Sequence, residues 1–220
     1  MMKMIDNLTV VILTVNEERN ISKVLDSVVN LTKNVFVVDS YSTDSTVEIL
    51  EEKQITYTQH TFENYSKQRN WSQSNNPFET DWVLHLDADE PITKELLNWL
   101  LTDFSIEKDI FDGFMFSRKT LFMGRWIKYG GQYPNFHLRL FKVLKGRCEH
   151  KAYDQHFIVD GVVKKIANAD IINTVANNLD EFIAAHNRWA NKEAFEIWDS
   201  TTIESLEPKL FGNPIEKRRW

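Results

Sequence analysis

Three carboxylates at the end of an apolar run are where this sequence offers chemistry. Trp82-Val83-Leu84-His85-Leu86 reads as a short buried strand, and it runs directly into Asp87-Ala88-Asp89-Glu90-Pro91. A core accepts Val83, Leu84 and Leu86. An unpaired carboxylate there costs several kcal/mol or more, so Asp87 and Asp89 belong in an open site or on a cation. Strand alternation predicts that Asp87 and Asp89 share one side of the chain, with the small Ala88 between them. Two hard oxygen ligands at a strand's C-terminal end suit Mg²⁺ or Mn²⁺ carrying a phosphorylated ligand. A lone Asp-x-Asp also fits an ordinary solvated strand exit, so its setting has to decide.

That setting is an alternation of strands and helices. Leu8-Thr9-Val10-Val11-Ile12-Leu13 is a continuous apolar, β-branched run, as a strand buried on both faces requires. Ile21, Val24, Leu25, Val28 and Val29 then recur with helical spacing, and Asn16-Glu17-Glu18 offers a cap and an acidic first turn. Val35-Phe36-Val37-Val38 is a second strand, ending at Asp39. Ser45-Thr46-Val47-Glu48 has capping-box spacing before a short helix. Residues 55–60 read as a third strand, residues 65–74 as a polar helix, residues 81–86 as the fourth strand, and Thr93 caps a helix carrying Leu96, Leu97, Leu100 and Leu101. The pattern predicts a mostly parallel sheet flanked by helices. In such sheets ligands bind beyond the C-terminal strand ends. Three of those ends carry polar cargo: Thr14-Val15-Asn16-Glu17, the stretch from Asp39 to Asp44, and Asp87-Ala88-Asp89-Glu90. No glycine-rich phosphate loop is present, which argues against a dinucleotide fold of the usual kind or a P-loop.

The second half changes character. Residues 113–118 and 137–142 alternate like strands around the loop Gly130-Gly131-Gln132-Tyr133-Pro134-Asn135. Residues 157–163 read as a hairpin turning at Asp160-Gly161. Residues 179–198 form a long amphipathic helix, with Phe182, Ile183, His186, Trp189, Ala190, Phe195 and Ile197 on or near one face.

The chain has 220 residues, 42% apolar and 26% charged, enough for one domain with a sizeable core. A net charge of −6 gives no general attraction to nucleic acid. One cysteine, Cys148, cannot form an internal disulfide and points to a reducing compartment. Neither a signal peptide nor a spanning run is legible, so a cytoplasmic location is expected.

At these residues the chain resembles the family 2 glycosyltransferases, inverting enzymes of GT-A fold that use nucleotide-activated sugars. The pieces are Val11-Ile12-Leu13-Thr14-Val15-Asn16-Glu17-Glu18-Arg19-Asn20-Ile21, Val37-Val38-Asp39-Ser40-Tyr41-Ser42-Thr43-Asp44-Ser45-Thr46, and Trp82 through Glu90. More narrowly it is similar to the branch of lipopolysaccharide-core β-glucosyltransferases and related surface-polysaccharide enzymes. Leu138-Arg139-Leu140-Phe141 and His186-Asn187-Arg188-Trp189-Ala190 carry that likeness. The resemblance spans roughly residues 8–200 and is most specific in the first hundred.

The resemblance implies an α/β, GT-A-type single domain. Residues 1–112 would be its nucleotide-sugar half, 113–205 its acceptor half and 206–220 a basic tail. Thr14, Val15, Asn16 and Glu17 would line the base and ribose, and Asp39 would hydrogen-bond the base, typically uracil. Asp87 and Asp89 would form the metal-binding Asp-x-Asp, with Asp89 the more direct ligand of Mn²⁺ or Mg²⁺ and Asp87 nearer the ribose. Lys67 or Arg69 would reach the nucleotide, and His186, Arg188 and Trp189 the diphosphate or acceptor. Simpler roles compete: a helix cap for Asn16, a turn for Asp39, solvated helix charges for Lys67 and Arg69, core packing for the long helix.

Inverting transfer needs a carboxylate base opposite the leaving group. Where relatives often carry His-Glu before the segment 157–163, this chain has Asp154-Gln155. A glutamine cannot accept the proton, so Asp154 is the first candidate and Glu149 the second. The resemblance thus implies an inverting, metal-dependent transfer, from a UDP-sugar most readily, to a bacterial cell-surface glycan or lipid-linked acceptor. The alternatives are a nucleotide-sugar-binding protein without catalysis and a metal-dependent nucleotidyltransferase. A phosphatase would want its Asp-x-Asp near the first strand. Lys217-Arg218-Arg219-Trp220 would begin an interfacial helix on the cytoplasmic face of the inner membrane, in a chain cut short of its full length.

Overall fold

The computed structural model describes residues 4–151, 155–176 and 178–198. Asp154, and the tail with its basic run, therefore lie outside the described residues.

Strand β1 (Leu8–Thr14) is buried along its whole length, as its unbroken apolar sequence demands. It pairs in parallel with β2 (Val35–Asp39) on one side and β4 (Trp82–Asp87) on the other, and β3 (Thr56–Gln59) extends β2. These four strands point the same way, so the loops after β1, β2 and β4 emerge at one edge. Helices α1 (Ile21–Val28) and α4 (Lys94–Thr102) bury Ile21, Val24, Leu25, Val28, Leu96 and Leu100 in the larger core on one face of the sheet. Helix α3 (Tyr65–Ser74) covers the other face, where Trp71 packs against a smaller core of Val11, Leu13, Val83, Phe141 and Phe157. Each such apolar side chain stabilises the fold by about 1.5–3 kcal/mol.

The second half continues the same sheet. Strand β7 (Phe136–Lys142) runs antiparallel to β4 and to β5 (Gly113–Phe122), and β10 (Val163–Ala176) adds to β5 in parallel. The order is β10-β5-β7-β4-β1-β2-β3, with β6 (Arg125–Trp126) paired to β5. This is the expected α/β, mostly parallel, single-domain architecture, with β7 the antiparallel insertion.

The expected hairpin over residues 157–163 does not form. Strand β9 (Phe157–Val159) pairs instead with β8 (Gly146–Cys148), and Val163 opens β10 beside β5. The reason lies in Asp112: its carboxylate accepts the Val162 N–H at 3.1 Å, and its own N–H donates to the Val162 carbonyl at 2.8 Å, drawing the chain onto β5. Helix α1 begins later than expected, at Ile21, and Asn16 does not cap it. Val29 falls past its end and is exposed. At α2 (Thr46–Glu52), Asp44 rather than Ser45 accepts the Thr46 N–H, at 3.0 Å. Helix α6 (Leu179–Trp198) is present, but Leu179, Ile183, Trp189 and Phe195 are exposed along it. No helix among the described residues is long and apolar enough to cross a membrane.

Candidate active site

The loops after β1 and β2 are laced together by short polar side chains. Asn16 stands in the left-handed region, φ 53°, which asparagine tolerates better than most residues. That turn lets its N–H donate to Ser42 Oγ at 2.8 Å while its Oδ1 accepts the Thr43 N–H at 2.8 Å. Glu17 N–H donates to Thr46 Oγ1 at 2.8 Å, and Ser40 N–H to the Thr14 carbonyl at 2.9 Å. Asp39 is fully buried at the end of β2. It accepts the Ser42 N–H at 3.0 Å, the Ser42 hydroxyl, and Gln59 Nε2 at 3.0 Å. Val15 is left 47% exposed at the mouth of these loops.

The loop after β4 departs from the expected alternation. The strand stops at Asp87, and a turn closes where Glu90 N–H donates to the Asp87 carbonyl at 2.9 Å. Asp87 and Asp89 consequently have different surroundings. Asp87 Oδ1 accepts from Arg69 of α3 at 2.8 Å, and its Oδ2 from Arg139 of β7 at 2.9 Å, with Arg118 of β5 at 3.6 Å. Glu90 is sealed in and meets Arg118 and Arg139, each at 2.6 Å. Burial alone would raise the Asp87 carboxyl; Arg139, Arg69 and Arg118 overcome it and hold the group well below the usual carboxylate range. Arg139 is the converse: burial opposes its charge, and Glu90 and Asp87 more than restore it. Arg69 also lies 5.1 Å from the Phe157 ring centroid.

Asp89 has no side-chain partner among the described residues. Burial pushes its carboxyl up to about 7, and Asp87, Glu90 and Glu17 push the same way. Burial raises the Glu17 carboxyl too, partly offset by the Asn20 amide that donates to it at 2.8 Å and reinforced by Asp44 and Asp87. The two loops are thus within one another's field. No group of three metal-ligating side chains occurs among the described residues. A hard divalent ion held by one carboxylate and the oxygens of a diphosphate needs no such group. Asp89 is the carboxylate whose chemistry fits that role.

Of the other expected site residues, Lys67 pairs with Glu63 on the exposed side of α3, away from the arginine cluster. His186 Nδ1 bonds the Phe182 carbonyl at 2.8 Å and its ring packs on Phe182 and Trp189, all within α6. Arg188 and Trp189 are exposed. The structure brings none of these three against Asp87 or Asp89. Glu149 is buried, accepting the His156 backbone N–H at 2.7 Å and facing His156 Nδ1 at 3.1 Å. The sequence pattern by itself gives no role to Arg118, Arg139 or Glu90. The available signal was Arg139 itself, a permanent cation inside Leu138-Arg139-Leu140-Phe141, which a buried strand tolerates only opposite a carboxylate.

Fold and site together define a GT-A-like α/β protein with polar loops gathered at the parallel strand ends. Residues 9–165 match Glycosyl transferase family 2, and the chain belongs to that family. An uncharacterized glycosyltransferase of Rickettsia conorii is 37% identical over 91 residues, 41% of this chain and 32% of the relative. One from Rickettsia prowazekii is 38% identical over 85 residues, 39% of this chain and 28% of the relative. The matched segment thus spans about a third of the curated relatives' length. Among solved structures, S. aureus TarS 1–349 superposes with a TM-score of 0.54 at 15% identity, covering 89% of this chain and 76% of that one. The same protein in complex with UDP-GlcNAc gives 0.55 at 16% identity, covering 90% and 68%.

Proposed function

We propose that this chain carries the catalytic domain of an inverting, metal-dependent glycosyltransferase that takes its sugar from a UDP-linked donor. The observation that carries the reading is Asp89, a half-buried carboxylate without a side-chain partner among the described residues, in the turn whose Asp87 and Glu90 are tied to three arginines, at the edge where the β1, β2 and β4 loops meet. A fold neighbour solved with UDP-GlcNAc supports the choice of donor. Asp89 would hold Mn²⁺ or Mg²⁺, which supplies Lewis-acid stabilisation of the departing diphosphate. Asp39 and residues 14–17 would form the base and ribose pocket. Arg69 and Arg118, at the edge of the cluster, would face the diphosphate. The acceptor would be a bacterial cell-surface glycan or lipid-linked sugar, as in the lipopolysaccharide-core branch. Asp154 would be its general base, since Glu149 is buried against His156. The enzyme would work on the cytoplasmic face of the inner membrane, held by residues 217–220. Binding of the chain to anionic vesicles at low salt tests that placement, and no binding would sink it.

The direct test is UDP release from a panel of nucleotide sugars with Mn²⁺, with and without bacterial lipid-glycan extract. Metal-dependent, acceptor-stimulated release is expected. Gln155, where relatives often have a carboxylate, favours a second reading, a nucleotide-sugar-binding protein without turnover. Tight UDP-sugar binding with no release under any acceptor would select it.

A further inference from the structure

We propose that Glu90 is a positioning residue: by tying the Asp87–Glu90 turn to two arginines of the acceptor half, it aims Asp89 at the donor's metal. The inference rests on the reading of Asp89 as the metal ligand.

The N–H and both carboxylate oxygens of Glu90 are engaged within the turn or across it. Its N–H donates to the Asp87 carbonyl at 2.9 Å, and its Oε2 accepts the Asp87 N–H at 3.3 Å. This reciprocal pair closes the turn at both ends. Oε1 meets Arg118 at 2.6 Å and Oε2 meets Arg139 at 2.6 Å. Those arginines come from β5 and β7, so Glu90 joins the donor loop to the second half of the sheet. Asp87, at the other end, is held by Arg69 and Arg139. Asp89 sits between the two anchored residues and is the carboxylate of the turn without a partner among the described residues. A metal shell that takes only one protein carboxylate depends heavily on where that carboxylate points. Groups that orient a ligand from behind typically change metal affinity or activity by about 10–100-fold when altered. Glu90 also offsets the charge of Arg118 and Arg139, which would otherwise leave the surroundings of the turn more positive.

The test measures UDP affinity of the whole chain by calorimetry with and without Mn²⁺, alongside denaturant unfolding. Asp89→Asn should erase the gain that Mn²⁺ gives. If Asp89→Asn keeps that gain, the metal assignment fails, whatever Glu90 does. With the assignment intact, Glu90→Gln, which keeps the shape and removes the charge, should reduce the Mn²⁺-dependent gain by about 10–100-fold and move metal-free UDP binding much less. A lower unfolding midpoint with an unchanged Mn²⁺ gain would make Glu90 a stabilising residue only and overturn the proposal. Should Glu90→Gln not fold, Glu90→Asp serves. It keeps the charge but is too short to bridge both guanidiniums. It is expected to lose the gain to a similar degree, and full retention would likewise overturn the proposal.

Discussion

The two halves of the sheet are built to different tolerances. In the first, the β1 and β2 loops exchange hydrogen bonds through Asn16, Ser42, Thr43 and Thr46, and three arginines fix the β4 turn. In the second, β10 follows β5 through two register shifts, Asn168 bulges at φ 59°, and α6 leaves four large apolar side chains exposed. The difference teaches that polar side chains fix the loops at the parallel strand ends closely, while the far side of the sheet is left to bulges and local loops. Under the proposed function, the closely held half would take the nucleotide sugar and the looser half the acceptor.

The arginine cluster is where that comparison is most easily broken. Arg139→Met removes one of the two cations that join the halves, the one close to both carboxylates, and leaves Asp87 and Glu90 buried with too little compensation. Breaking a buried pair in this way costs about 3–5 kcal/mol. Urea unfolding should show a loss of that size; a change under 1 kcal/mol would mean the cluster is far wetter than its burial indicates.

Asp89 behaves oppositely, because it is strained by the fold rather than satisfied by it. Asp89→Asn should reduce metal-dependent turnover by on the order of 10²–10³-fold, the scale on which loss of a transition-state charge stabiliser is felt. Its stability effect has the other sign. The carboxyl sits at about 7 in the fold, raised from an ordinary value near 3.8. The folded chain therefore binds this proton more tightly than the unfolded chain. Stability attributable to Asp89 is complete below pH 4 and is lost as pH rises from about 4 through 7. In metal-free buffer at pH 8 the asparagine variant should melt a few degrees above the parent, and the gap should close towards pH 4. A variant that melts lower at pH 8 would show that Asp89 has a partner in solution.

The contrast also explains what was legible in the sequence. Buried parallel strands write themselves as apolar runs, so β1, β2 and β4 and their polar exits could be read directly. Asp89 needed only its position after the fourth strand. The turn that separates it from Asp87 was not legible, because its closure depends on Glu90 reaching Arg118 and Arg139, 28 and 49 residues away. The Asp160-Gly161 signal is a sound hairpin cue locally, but Asp112 captures Val162 and the chain joins β5 instead. Such long-range polar contacts leave no period in the sequence.

Asp39 is the intermediate case, since its interactions stay within the first half of the sheet. Asp39→Asn keeps the volume but substitutes an amide for one acceptor of Ser42 or Gln59. One or two lost hydrogen bonds of a buried carboxylate amount to about 1.5–3 kcal/mol each before relaxation. Part should appear in unfolding and part as weaker UDP binding, read by calorimetry. Loss of stability with unchanged UDP affinity would confine Asp39 to holding the loop and remove it from the base pocket.

The smallest effect is expected on α6. Trp189 is 39% exposed and its ring contact is with His186 of the same helix, 4.8 Å between centroids. A half-exposed side chain outside both hydrophobic cores contributes less to unfolding than a core residue, so Trp189→Ala should shift urea stability by less than about 1 kcal/mol. The same variant is informative about function because the helix follows β10, in the half proposed to take the acceptor. If transfer to a lipid-glycan extract falls while metal-dependent UDP binding stays at the parental value, α6 belongs to acceptor recognition, and the division between a fixed donor half and an adaptable acceptor half is sharpened. If UDP binding falls in step with transfer, α6 folds over the donor pocket during the reaction, and the division drawn from the sheet does not hold in the working enzyme.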